Sequence, residues 1–270
     1  FLGVGNGSFQ PQQTLAAGSV LLVPDYAVAK AAALPSLSGR RILFTYGGWD
    51  GHEPEKFRDY MTAWMKEEGA VVDLRTDLQV YTDKAYMDTV DMVIQIFTMS
   101  QITPEQEKGL LNAIAQNGTA MAGWHGGMCD AFRNNTEYQF MTGGQWVAHP
   151  GGEIDYMVNI VDHKDPVTAG LRDFAMHSEQ YYMHVDPNVK VLATTRFNGK
   201  INPWIDGCVM PVAWKKTYGK GRIFYTSVGH NLAHVTSVPD AIELIKRGIR
   251  WASASKYQPA EKWLAPVYGR

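Results

Sequence analysis

Thr119-Ala120-Met121-Ala122-Gly123-Trp124-His125-Gly126-Gly127 is the stretch on which the fold reading turns. Its apolar run has the make-up of a short buried strand, and glycines flank the residue that the strand delivers. This is the G-x-[nucleophile]-x-G form of a nucleophile elbow. In such an elbow a sharp strand-to-helix turn lifts one side chain above a sheet, and small neighbours let backbone amides approach a ligand. Here the lifted side chain is an imidazole, so the usual covalent chemistry lacks its thiol or hydroxyl. Taken alone, the pentapeptide also fits a tight turn with an incidental histidine, and the flanking sequence has to decide.

Upstream, strand and helix patterns alternate. Arg41–Tyr46 reads as a strand leaving through Gly47-Gly48, and Pro54–Glu68 as a helix with Phe57, Met61, Trp64 and Met65 on one face. Ala70–Leu74 is the next strand, and Met92–Phe97 is a continuous apolar run of the kind buried on both faces. Thr103-Pro104-Glu105-Gln106 is a helix start with an N-cap, a first-position proline and a capping box. That helix reaches about Gln116, and Gly118 stops it. Short strands alternating with helices predict a doubly wound, flavodoxin-like, mostly parallel sheet with helices on both faces. Ligands of such sheets bind beyond the carboxyl ends of the strands, where Gly47–His52 and His125 both fall.

Downstream the pattern changes. Glu153–Val161 alternates like a half-buried strand with Ile154, Tyr156, Val158 and Ile160 inward, and Val189–Thr194 is another strand. Pro211–Lys216 and Gly221–Thr226 form a hairpin across Tyr218-Gly219-Lys220, and Pro239–Ala252 is a final helix. An antiparallel β portion is therefore expected in the second half. Gly143–Gly152 reads as a glycine-rich loop too irregular for an element. The organisation expected is an N-terminal arm over residues 1–39, a main domain over 40–256 and a C-terminal tail over 257–270. The Ala-rich Tyr26–Leu34 piece of the arm could form only a short helix.

At 270 residues the chain can bury a full core. Charged residues make up 19%, against about 25% in a typical domain, and the net charge is −2 with a pI near 6.5. No basic cluster suggests nucleic acid or a membrane surface. No apolar run approaches the ~18 residues of a membrane span. Cys129 and Cys208 are too few for a disulfide framework and lack metal-ligand spacing. A start without Met, together with a glycine-rich opening, leans the expected address towards the periplasm over the cytoplasm.

Of the eight histidines, His52, His125 and His230 lie just past predicted strand ends, and His149 lies in the glycine-rich loop. Convergence from separate strands on one sheet edge is what a site needs. His163 reads as a turn residue, and His177, His184 and His234 have no assigned role. Glu179, amid Ser178, Gln180, Tyr181 and Tyr182, is the acid whose burial would raise its pKa and suit it to proton transfer. Asp50 and Glu53 flank the first strand's exit. Histidines and a carboxylate around a cleft admit a divalent metal, zinc or manganese, with His52, Glu179 and His230 as candidate ligands.

These segments together resemble the trehalose-utilisation (ThuA-like) family over about Arg40 to Ser253. They comprise the Gly47-Gly48 exit with His52, the GWHGG elbow, Gly143-Gly144 with His149-Pro150, Asp162-His163-Lys164-Asp165-Pro166 and Ser178-Glu179-Gln180-Tyr181. The run from Gly219 to His230 and the helix with Gly248-Ile249-Arg250-Trp251-Ala252 complete the set. The resemblance implies a class I glutamine-amidotransferase-like fold and a role in bacterial sugar catabolism, beside oxidoreductases that make 3-keto sugars. One departure is Ser178, where the family usually carries Asp. Against the amidotransferase pattern, His125 replaces the nucleophile, Asn231-Leu232 replaces Pro-Glu, and Cys129 lies four residues past the elbow. Amide hydrolysis through a thioester is not expected.

The expectation is an acid–base enzyme, with or without a metal, acting on a sugar or 3-keto glycoside. His125, Glu179 and His230 are its catalytic candidates. Gly48, Trp49, His52, Trp124, Gly126, His149 and Tyr181 are the substrate-binding candidates, with Trp146 a further stacking face. The alternatives are a non-catalytic sugar-binding module and a direct glycoside hydrolase, which normally needs two carboxylates. The expected partner is a small carbohydrate, with self-association left open.

Overall fold

The computed structural model describes residues 33–259 and 261. Its centre is a nine-stranded sheet in the order β2-β1-β3-β4-β11-β10-β9-β6-β7. β1 (Arg41–Gly48), β2 (Val71–Arg75), β3 (Met92–Thr98), β4 (Ala120–Trp124) and β11 (Gly221–Thr226) run parallel. From β10 (Val209–Tyr218) outward, β9 (Lys190–Arg196), β6 (Glu153–Ile160) and β7 (Phe174–Glu179) add antiparallel. The mixed sheet thus has the parallel half and the antiparallel extension that the two sequence patterns predict.

Alternation along the parallel strands feeds two cores. Ile42, Phe44, Ile94, Ala122 and Phe224 face one side. They meet Phe57, Met61 and Met65 of α1 (Pro54–Glu67) and Ile242, Ile245 and Ile249 of α7 (Pro239–Ala252). Leu43, Val93, Met121, Ile223 and Tyr225 face the other. There they meet α2 (Lys84–Thr89), α3 (Pro104–Asn117), α4 (His125–Cys129) and α5 (Thr136–Thr142) through Met87, Leu110, Ile114, Met128 and Met141. Because both faces are covered, β1, β3 and β4 read as largely apolar runs, with Gln95 of β3 hydrogen-bonded to Tyr81 and Tyr138. The Thr103–Gln106 capping box forms as expected and contributes about 1 kcal/mol to α3.

Three strands and one short helix differ from the sequence expectation. Gly144–Ala148 is a strand, β5, which pairs with β8 (Tyr182–Val185) in a separate two-stranded sheet, so part of the supposed irregular loop is regular. β7 went unassigned because its alternation is carried by Ala175, His177 and Ser178 as much as by apolar residues. α6 (Leu232–Thr236) is a single short turn of helix with Asn231 as its cap. Residues 1–32 of the arm and most of the tail fall outside the described residues, while Leu37 of the arm is buried in the core.

The Asp162–Pro166 segment does structural work. Asp165, 3% exposed, accepts hydrogen bonds from Lys190 Nζ at 2.7 Å, Lys215 Nζ at 2.8 Å and the Val167 amide at 2.9 Å. Lys215 is fully buried, so the pair is neutralised locally. His163 is exposed beside it.

Candidate functional site

The parallel strands end together, and their exits carry the site. Gly48, the last residue of β1, pairs with Thr98 of β3, and Trp124 of β4 pairs with Thr226 of β11. His52 follows the first exit, His125 the β4 exit and His230 the β11 exit. Among the described residues the non-glycine positions with positive φ are Glu53 (49°), Met99 (49°), His125 (49°) and His230 (71°). Each costs on the order of 1–3 kcal/mol unless the surroundings impose it, and all four lie at these strand exits. The strain at His125 is that of an elbow, and it turns the ring inward.

Glycine permits the crowding. A Cβ on Gly229 would overlap the Cβ of His125, and one on Gly126 would strike the His52 ring. Glu179 arrives from the far strand β7. Ser178 Oγ donates to the Gly229 carbonyl at 3.0 Å, which fastens the end of β7 beside His230. Tyr181, two residues on, stacks on His125 with ring centroids 4.1 Å apart.

The result is one cluster. Glu179 Oε2 lies 3.0 Å from His125 Nε2, 3.4 Å from His230 Nδ1 and 3.6 Å from His52 Nε2. These four donor atoms all fall within 4.8 Å of one another. His149 Nδ1 approaches the other oxygen, Oε1, at 3.6 Å, and its ring is about one-third exposed. The outer nitrogens are held as well. His125 Nδ1 is 2.8 Å from the Ser227 carbonyl, His52 Nδ1 is 2.9 Å from Thr98 Oγ1, and His230 Nε2 is 3.3 Å from Glu153 Oε1.

Electrostatics separate the members. Burial presses the Glu179 carboxyl upward, but polar contacts with His125, His230 and His52 together outweigh it. The group sits well below the ordinary carboxylate range. This reverses the sequence expectation of a raised pKa: the acid is a permanent anion, not a proton store. Burial, reinforced by the His52 charge, takes His125 down to about 3. The Glu179 contact, then the charges of Glu179, Glu153 and Glu53, raise His230 despite its burial.

Not every residue singled out from sequence reaches the cluster. Trp124 is buried against Phe44 and Phe57 and offers no stacking face. Tyr181, 2% exposed, is spent on His125. Gly48 and Gly126 serve close packing, against Thr98 and His52 respectively. Trp49 does stand at the rim, 45% exposed and 4.8 Å from the His52 ring. Trp146 is half-buried under Arg133. Glu53 caps the segment after His230 by accepting from the Leu232 amide, and Asp50 is exposed. Cys129 is buried in α4, where burial pushes its thiol well up, so it is no nucleophile.

Thr98, Ser227 and Glu153 were missed. Thr98 and Ser227 sit directly at strand exits, a positional signal the sequence does carry. Glu153 is visible only through its pairing with Glu179 across β6 and β7. His234 lies 3.8 Å from Glu153, and His177 pairs with Asp155 on the exposed side. His184 is exposed on β8.

Comparison with known proteins agrees with this layout. The family model described as ThuA, trehalose utilisation, matches residues 41–252. A ThuA-like protein from Bacteroides uniformis superposes with a TM-score of 0.65 at 19% identity, covering 83% of this chain and 94% of that one. One from Parabacteroides merdae gives the same values. A cytoplasmic protein from Salmonella typhimurium superposes with a TM-score of 0.56 at 13% identity, covering 82% and 100%. At these identities the structures speak for the fold alone. No curated protein matches the sequence.

Proposed function

Since the chain belongs to the trehalose-utilisation (ThuA) family, we propose that it is an enzyme of carbohydrate catabolism that acts on a carbonyl-bearing sugar, with a 3-keto glycoside as the substrate class. The observation that carries this reading is the convergence of His52, His125, Glu179 and His230 at the carboxyl edge of the parallel strands. In a 3-keto glycoside the hydrogen on the carbon beside the carbonyl is acidic. A base removes it, the electron pair moves onto the carbonyl oxygen as an enolate, and collapse expels the glycosidic oxygen from the neighbouring carbon. That oxygen leaves with a proton, so the products are an unsaturated keto sugar and the free alcohol.

His149 suits the role of base. It is the partly exposed imidazole on the open side of Glu179, and imidazole is the side chain most often used as a general base. His230, raised towards its protonated form by Glu179 and Glu153, would meet the enolate oxygen with positive charge. Trp49 supplies an aromatic face at the rim. Direct glycoside hydrolysis fits less well. The second carboxylate, Glu153, has His230 between itself and Glu179, so a sugar cannot lie between the two acids.

The test is proton NMR in deuterated water with a panel of 3-keto glycosides. Loss of the hydrogen beside the carbonyl and release of the alcohol are expected. His149→Ala should slow exchange about 100-fold or more. If the panel binds saturably and no hydrogen ever exchanges, the protein is a sugar-binding module instead.

A further inference from the structure

Three imidazole nitrogens and a carboxylate oxygen point at one another, the nitrogens standing 3.0–3.6 Å from the oxygen. His125 shows the problem most clearly. Its Nδ1 faces the Ser227 carbonyl at 2.8 Å, and a carbonyl only accepts, so Nδ1 carries the hydrogen. Nε2 of the neutral ring then presents its lone pair to Glu179 Oε2 at 3.0 Å, and that oxygen also only accepts. A second proton on the ring would relieve the clash, but it would place an imidazolium in a side chain 2% exposed. His230 repeats the arrangement. Its Nε2 faces Glu153, while its Nδ1 is buried without a hydrogen-bond partner and directed at Glu179. His52 holds Thr98 with Nδ1 and turns Nε2 inward.

We propose that His52 Nε2, His125 Nε2, His230 Nδ1 and Glu179 Oε2 form a binding site for one divalent first-row transition ion. Ligand atoms about 2.0–2.1 Å from a tetrahedral zinc lie roughly 3.3 Å apart. The three nitrogens stand 3.0, 3.4 and 3.6 Å from Glu179 Oε2. The wider pairs, within 4.8 Å, need the rings to draw in by on the order of half an ångström. Each ring is also oriented from behind, by a carbonyl, a hydroxyl and a carboxylate, the partners that fix tautomer and aim in metal-ligating histidines. Imidazole-rich sets with one carboxylate suit zinc, iron, nickel or manganese and disfavour magnesium and calcium, which take oxygen ligands. The strained φ of His125 and His230 becomes intelligible as the cost of aiming two of these ligands.

The ion's role, polarising the substrate carbonyl and holding the enolate, rests on the proposed carbonyl chemistry. Its binding does not. The experiment uses the full chain without a histidine tag, stripped with chelator and titrated with zinc, cobalt and manganese under calorimetry, with elemental analysis of the loaded protein. About one ion per chain is expected. Affinity should fall about 100-fold or more in His125→Ala and Glu179→Gln, and about 10-fold in Thr98→Val. It should not change in His177→Ala, a histidine outside the cluster. Circular dichroism confirms that each variant is folded. Cobalt loading gives a second readout, since its visible absorption reports coordination directly.

No binding by any of the three ions overturns the site, as does binding that Glu179→Gln and His125→Ala leave intact. Stoichiometric binding without turnover of any keto sugar upholds the site and removes the carbonyl reading. Full turnover by stripped protein does the opposite for the ion's role.

Discussion

Two of the buried polar clusters among the described residues, around Asp165 and around Glu179, are built on opposite principles. Around Asp165 every acceptor meets a donor: two lysine ammoniums and a backbone amide close on one carboxylate within 2.9 Å. Around Glu179 three imidazole nitrogens crowd one carboxylate oxygen at 3.0–3.6 Å, and at His125 acceptor faces acceptor. The first is a completed electrostatic unit and needs nothing further. The second is incomplete as protein alone, and it occupies the edge where parallel sheets take ligands. Burial of charge by itself therefore does not distinguish scaffold from site. The balance of donors and acceptors does.

Removing an acid from each cluster should break the two differently. Asp165→Asn leaves the buried Lys215 without its counter-charge, and a loss of about 3–5 kcal/mol in chemical denaturation is expected. Glu179→Gln replaces a lone pair by an amide donor opposite His125. Its stripped form should stay within about 1 kcal/mol of wild type or gain slightly, while turnover collapses. Equal destabilisation by the two substitutions would erase the contrast.

Adding an ion sharpens the comparison from the other side. At a hundredfold excess over the dissociation constant, wild type should gain about 2.7 kcal/mol of stability by mass action, and Glu179→Gln should gain almost none. Thermal unfolding with and without zinc measures it. A smaller structural effect, on the order of 1–3 kcal/mol, is expected for Gly229→Ala, whose new Cβ meets that of His125. Metal affinity should drop in the same variant, because the elbow must shift.

The Asp165 cluster also predicts a pH limb. Burial raises the Asp165 carboxyl, but Lys215 and Lys190 together hold it below its usual range. A depressed folded-state pKa contributes stability that is present above the unfolded value, about 3.9, and is lost as pH falls through the folded one. Acid unfolding of wild type should therefore steepen below about pH 4, and Asp165→Asn should flatten that limb. The smallest effect belongs to His163→Ala. This residue sits exposed in the same turn and should change stability and activity by no more than about 0.5 kcal/mol.

Much of this architecture is legible in the sequence. β1, β3 and β4 announced themselves as apolar runs because both their faces are covered. α1, α3 and α7 did so through periodicity and caps. The histidines past three strand ends followed from the rule that parallel sheets bind ligands at their carboxyl edge. What local pattern could not supply was anything carried by pairing between distant segments. β5, β7 and β8 have weak alternation and exist as strands through their partners. Trp124 and Tyr181 looked available because aromatic character does not state which side of a sheet or ring will be covered.

The sequence by itself determined the doubly wound parallel half, the elbow at His125 and the absence there of a thiol, since strand period, glycine placement and residue chemistry are local properties. Only the tertiary structure decided the state of the site. The Glu179 pKa, expected to rise with burial, falls because three imidazoles from three separate strand exits converge on it, along with a carbonyl, a hydroxyl and a second carboxylate behind them. Electrostatic free energy depends on distances of a few ångströms between groups that lie from 46 (His52 to Thr98) to 127 (His52 to Glu179) residues apart in the chain, and those distances are set by the packed sheet.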